Sequence, residues 1–304
     1  MTASPRKTKS DALIRFGYRL VLKFARITPS FIVHGITAVL VPIISVTIRA
    51  KRSTVARHMQ RVQPELRGRA LRRAVQKSFE SYAHYYIETF RLSSLNTKTI
   101  QAGFTIEGLE HIQHGLELGK GVILALPHLG GWEWSGRWLI EQGHRLNAVV
   151  EKLNSPEIFE MFMDLRKSYG VNVIPLDDHA GIAVQRALGA NEIVALLSDR
   201  DIKRTGIEVK FFSECTTIPA GPAFFALRTG AALLPVATYF APRLNGHETL
   251  VRPALVIQRL GTLRQDMARI SQDLANEFEV LIRHAPQQWH MFQPNWPSDP
   301  GFTK

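Results

Sequence analysis

The stretch Gly121-Val-Ile-Leu-Ala-Leu-Pro-His128-Leu-Gly-Gly-Trp-Glu133-Trp134 decides the fold class. Its first half is a short, uninterrupted apolar run, the pattern of a strand covered on both faces. His128 leaves that run, and Gly130 and Gly131 can take the backbone conformations of a tight turn that other residues resist. A helix is expected to start near Gly131, with Glu133 in its first turn. Strand, turn and helix in this order belong to an α/β domain.

The same texture recurs along the chain. Leu146-Asn-Ala-Val-Val150 is followed by Glu151, and Val171-Asn-Val-Ile-Pro-Leu176 by Asp177 and Asp178. Glu192-Ile-Val-Ala-Leu-Leu197 leads to Ser198, Asp199, Arg200 and Asp201, and the run from Ala231 to Phe240 is the last clear one. Helices fill the gaps. One opens at Ser155-Pro156-Glu157, a cap, a first-turn proline and an acid on the positive dipole end, and stops at Gly170. Others are expected over about 179–189, from Pro219 to Gly230, and over about 263–284. The expected fold is α/β, a central and mostly parallel sheet flanked by helices. Ligands of open parallel sheets gather at the carboxyl ends of the strands. His128, Glu151 and Asp199 each directly follow an apolar run, so they are expected to converge on one rim. The plain alternative is that turn residues are often polar for other reasons.

Composition sets the outer bounds. The 304 residues are 45% hydrophobic and 21% charged, which excludes a disordered or fibrous chain. A single cysteine, Cys215, excludes an internal disulfide and a cysteine-based zinc cluster, and suits a reducing compartment. The net charge of +12 is unevenly placed: residues 1–77 carry 17 Lys and Arg against two acids, Asp11 and Glu65. Such a segment favours a polyanionic surface, acidic lipid or nucleic acid.

Two features point to lipid. Over 12–26 the bases Arg15, Arg19, Lys23 and Arg26 form one helical stripe against Leu13, Phe16, Leu20 and Phe24, the pattern of an interfacial helix or of a core helix with a solvated edge. Residues 31–48 then carry no formal charge, and as a helix would extend about 27 Å, the lower edge of a bilayer crossing. His34, Gly35 and Pro42 favour shallow burial over spanning. No secretory signal pattern is read, and no nucleic-acid-binding motif accompanies the charge, so nucleic acid is not expected as a partner.

The chemistry centres on His128. An imidazole suits general-base work near neutrality and needs a carboxylate to fix its tautomer. Two candidates exist: Glu133, close in sequence, and Asp199, at another strand end. On one continuous helix, His128 and Glu133 would stand about 140° apart, but a strand–turn–helix break can bring them to one pocket. Without a Gly-x-Ser-x-Gly elbow or a supported cysteine, direct attack by a substrate hydroxyl is expected, with no covalent acyl-enzyme. A buried histidine satisfied by backbone is the plain alternative. The spacing of His111 and His114 resembles a metal pair but lacks a third ligand, so no metal is expected. Trp134 and Trp138 are expected to pack one helix face, and His290 reads as structural.

These residues resemble the bacterial lipid A biosynthesis acyltransferases, which share a His-x4-Asp/Glu motif, here His128 to Glu133. The likeness continues through Phe211-Phe212, Pro219-Ala-Gly-Pro222, Thr229-Gly-Ala-Ala-Leu-Leu-Pro235 and Trp289-His290-Met291, and covers about residues 12–296. Leu126-Pro-His-Leu-Gly-Gly-Trp-Glu133, Ser198-Asp-Arg-Asp201 and Trp289-His-Met-Phe-Gln-Pro-Asn-Trp296 resemble its actinobacterial phosphatidylinositol mannoside acyltransferase branch. The resemblance implies one acyltransferase domain over 1–304, with 1–77 a basic, amphipathic helical region docking on the anionic inner leaflet, at the cytoplasmic face of the plasma membrane. It implies transfer of a fatty acyl group, typically palmitoyl, from acyl-CoA as co-substrate to the 6-hydroxyl of a mannose on phosphatidylinositol mono- or dimannoside, with no cofactor. It places His128, Asp199 and Glu133 in catalysis, and Glu151 and Arg166 near the sugar and its phosphate; Arg200 is also expected to bind substrate. Gly130 and Gly131 are expected to offer backbone N–H groups to it. Relatives carry Glu where this chain has Asp199, one methylene shorter, which leaves open how Asp199 and Glu133 share the work. Two rivals remain: a lipid A-type or other glycolipid acyltransferase, and a non-enzymatic basic protein that binds membranes or nucleic acid.

Overall fold

The computed structural model describes residues 47–151 and 155–302. All five expected apolar runs form strands: Val122–Leu126 (β2), Leu146–Val150 (β3), Asn172–Pro175 (β4), Ile193–Leu197 (β5) and Ala232–Phe240 (β8). Two more, Phe104–Glu107 (β1) and His247–Val251 (β9), join them in one seven-stranded sheet of order β1-β9-β8-β2-β5-β3-β4. Every neighbouring pair is parallel except β8–β9. Ile207–Phe211 (β6) and Glu214–Ile218 (β7) form a separate antiparallel hairpin. Its two-residue turn, Phe212 and Ser213, holds both residues at positive φ, as a type I′ turn requires. Of the four strands absent from the sequence reading, β1 and β6 alternate apolar and polar residues, and β7 and β9 carry mostly polar residues, because all four lie toward a sheet edge or in a hairpin.

Helices cover both faces of the sheet. Leu109–Glu117 (α4), Trp132–Glu141 (α5) and Pro156–Ser168 (α6) pack on the face presented by Val122, Leu124, Leu126 and Val236. Ala180–Gly189 (α7), Gly221–Thr229 (α8) and Leu263–His284 (α9) pack on the opposite face, against Ile123, Ala125, Val194 and Leu233. The two residue sets alternate along β2, as the pleat demands. Local chemistry fixes the helix ends. Ser155 caps α6 ahead of Pro156, Thr262 and Gln265 form a capping box on α9, and Gly230 ends α8 at φ 73°. Trp134 and Trp138 do pack inward, stacking on His247 and Phe104.

Ahead of the sheet come Arg49–Val62 (α1), Gly68–Leu92 (α2) and the short Thr97–Ala102 (α3). α1 and α2 bury Val55, Met59, Val75 and Phe79 around Phe292. Arg49, Arg57, Arg69, Arg72, Arg73 and Lys77 are exposed on them. The expected helix over 12–26 and all but the end of the uncharged stretch 31–48 lie outside the described residues. Among the described residues, no helix is long and apolar enough to cross a membrane.

Candidate active site

The register of β2 on β5 builds the core of the site. Leu126 pairs with Leu197, so the residues two further along each strand, His128 and Asp199, emerge side by side. Asp199 Oδ1 lies 2.5 Å from His128 Nδ1. Asp199 Oδ2 accepts the His128 backbone N–H at 3.0 Å and the Trp289 indole N–H at 2.7 Å. Asp199 is fully buried, whereas the His128 side chain keeps 14% of its exposure. Burial by itself would push the Asp199 carboxyl up. The charge of His128, its two hydrogen bonds and that from Trp289 outweigh burial and hold the carboxyl below its ordinary value. An ionised carboxylate only accepts, so Nδ1 carries the hydrogen and Nε2 of neutral His128 keeps its lone pair.

Glu133 is engaged elsewhere. Its carboxylate takes Arg166 Nε at 3.0 and 3.2 Å, Arg166 Nη2, the Tyr169 hydroxyl at 2.7 Å and the Tyr85 hydroxyl at 3.3 Å. Burial opposes its ionisation, but Arg166 and these hydrogen bonds win, and the carboxyl sits below the usual range. Burial first, and then the Glu133 charge, push the Tyr85 and Tyr169 hydroxyls well up. The structure thus corrects the expectation that left Glu133 open as the imidazole's partner. The start of α5 turns Glu133 toward α6 and α2, where Arg166 saturates it.

Gly130 and Gly131 also differ from expectation. Their amides donate to Gln288 O at 2.9 Å and Thr238 O at 3.0 Å, so neither is free for a substrate oxygen. Their small size serves packing. A Cβ on Gly130, at φ 60°, would sit 2.1 Å from Thr238 O, and one on Gly131 would sit 2.8 Å from the His247 ring.

A cavity of about 440 Å³ opens at this rim. Its lining includes His128, Glu151 and Arg200 at the strand tips, and Leu139 of α5, Leu124 and Val236 of the sheet, Phe104 and Ile112. Glu133 and Arg166 line it too. Glu151 and Arg200 pair with each other at 3.2 Å, and Arg200 also holds Gln293 at 3.0 Å. Three of the expected residues therefore share the strand tips, with Asp199 buried beneath His128. Arg166 reaches the cavity only as the partner of Glu133. His111 is half-buried and His114 exposed, and among the described residues no group of three metal-ligating side chains is placed to hold an ion.

The sequence reading did not bring out Tyr82, Tyr85 and Tyr86; it took His290 as structural and met Trp289 only within a motif, with no role at the site. The tyrosines follow a helical i, i+3, i+4 pattern on α2 and line the cavity, a signal visible in the sequence once α2 is placed. His290 lines it as well, with Nε2 2.9 Å from Ser81 Oγ. Burial first, then the neighbouring charge of His128, bring its pKa down to about 3, so it stays neutral at pH 7.

A half-buried histidine on a fully buried carboxylate, at a cavity lined mainly by apolar side chains on a mostly parallel sheet, defines a site for chemistry on an apolar substrate. Residues 3–298 match the bacterial lipid A biosynthesis acyltransferase family, and the chain belongs to it. Within that acyltransferase class, it is 39% identical over 227 residues to the phosphatidylinositol mannoside acyltransferase of Mycobacterium tuberculosis (strain ATCC 25618 / H37Rv), covering 73% of this chain and 70% of that protein. The protein of the same name from Mycolicibacterium smegmatis is 35% identical over 228 residues, 74% of this chain and 73% of that one. A lipid A biosynthesis acyltransferase of Haemophilus influenzae is 20% identical over 244 residues, 79% of this chain and 74% of that protein.

Proposed function

We propose that this acyltransferase moves a fatty acyl group, palmitoyl in the first instance, from acyl-CoA to the 6-hydroxyl of a mannose on phosphatidylinositol mono- or dimannoside. The observation that carries the reading is the His128–Asp199 pair at the mouth of the apolar cavity. The names of the relatives at 35–39% identity support the acceptor. The acyl chain lies in the cavity, where each buried methylene contributes about 0.8 kcal/mol. The mannose hydroxyl sits at His128 Nε2. As its oxygen attacks the thioester carbonyl, its proton passes to Nε2, and Asp199 stabilises the imidazolium. The tetrahedral intermediate collapses with loss of the C–S bond. Coenzyme A leaves as thiolate and takes the proton from His128. Glu151 and Arg200 stand by the sugar, and Arg166, oriented by Glu133, faces its phosphate. The exposed bases of α1 and α2, with the basic region before them, hold the enzyme on the anionic inner leaflet, peripherally and on the cytoplasmic side.

The test supplies purified protein with palmitoyl-CoA and a panel of acceptors: mannosylated phosphatidylinositols, phosphatidylinositol and lipid A precursors. Thiol release matched one-for-one by mannose-acylated product is expected. Acylation of the lipid A precursor alone, or thiol release with no acylated lipid by mass spectrometry, would overturn the acceptor.

A further inference from the structure

Asp199 has a third partner from the far end of the chain. Trp289 is 1% exposed and gives its indole N–H to Asp199 Oδ2 at 2.7 Å. Its placement is tied to that of His128 by the backbone. His290 N donates to His128 O at 2.7 Å, Gly130 N donates to Gln288 O at 2.9 Å, and Leu129 and Trp289 form an antiparallel bridge. The indole is then packed by Phe211 and Phe212 of the β6–β7 hairpin, by Trp296 and by His58. His58 is itself buried, with Nδ1 2.9 Å from Met291 O and Nε2 3.1 Å from Asp299.

We propose that Trp289 is a positioning residue for the reaction: its indole N–H fixes the Asp199 carboxylate so that Oδ1 faces His128 Nδ1. A carboxylate rotates readily about its last bond. The His128 amide and the indole hold Oδ2 from two sides, and that sets the direction of Oδ1. The indole also satisfies a buried anionic oxygen that would otherwise lose a partner. The proposal rests on the reading of His128 as the base.

Two measurements test it. In the first, Trp289 is replaced by 3-benzothienylalanine, in which sulfur takes the place of the indole N–H and the ring shape is kept, with Trp289→Phe alongside. The expected result is a kcat lower by about ten-fold or more, the scale of a hydrogen bond to a buried charge, with KM for the acyl donor unchanged. A wild-type kcat for the benzothienyl protein overturns the proposal. His128→Ala is assayed in parallel. If it stays active, the reading of the base fails; if it is inactive while the benzothienyl protein has full kcat, only the role of Trp289 fails. The second measurement follows the assigned Trp289 indole 15N–1H resonance in the otherwise native chain. It is expected to shift on Asp199→Asn, and an unmoved resonance overturns the proposal even if the Trp289 variants do not fold.

Discussion

Two buried carboxylates stand beside one cavity, and their partners separate them. Asp199 faces His128, and Glu133 faces Arg166. Both are held below the ordinary acid range against the opposing effect of burial. An imidazole can give and take a proton near neutrality, so the Asp199 pair is open to proton transfer. A guanidinium is charged at every working pH, so the Glu133 pair is closed to it and instead ties the start of α5 to α6. A carboxylate's chemistry therefore follows from what it faces in space, and nearness in sequence to the histidine decided nothing.

That contrast can be broken by substitution. His128→Ala is expected to lower kcat by about 10³-fold in the thiol-release assay with the fold intact by circular dichroism. Asp199→Asn should cost somewhat less, about 10²-fold, because the amide keeps the shape but no longer stabilises imidazolium or enforces the tautomer. Equal losses from Glu133→Gln and Asp199→Asn in kcat, with unchanged stability in both, would erase the distinction. Glu133→Gln is expected to act on stability instead. It strands the Arg166 charge, at a cost of about 3 kcal/mol measured by urea unfolding, and Glu133→Gln with Arg166→Met should recover part of it.

The smallest effect sharpens the comparison through pH. His290 is buried and neutral, with a pKa down to about 3 from an ordinary 6.5. Below pH 6.5 the unfolded chain takes a proton that the folded chain refuses, so stability falls with falling pH until the folded value near 3 is reached. About 2 kcal/mol should be lost by pH 5 on this account. His144, also lowered by burial, adds to the same slope. The depressed carboxyls of Asp199 and Glu133 work lower down: they favour the fold above their ordinary range and lose that contribution as pH falls through their folded values. His290→Gln is expected to flatten the fall between pH 6.5 and 5 in urea unfolding, and an unchanged slope would remove His290 from the account.

Much of the site was legible before any geometry. The apolar runs ending at His128, Glu151 and Asp199 marked the strand tips, because strands covered on both faces need continuous apolar sequence. The edge and hairpin strands escaped notice, because alternation over four or five residues, as in β1 and β6, is a weak signal, and β7 lacks even that. Gly130 and Gly131 were legible as a turn but not in purpose, since the chain that crowds them, Thr238 and His247, lies more than a hundred residues away.

By itself, the sequence determined the α/β class, the polar strand ends, the concentration of bases in residues 1–77 and the histidine at the centre. Only the tertiary structure decided that β5 inserts between β2 and β3, which sets Asp199 beside His128 and leaves Glu133 to Arg166. The physical reason is that periodicity records which side of an element is buried, whereas strand order and register depend on contacts between distant segments.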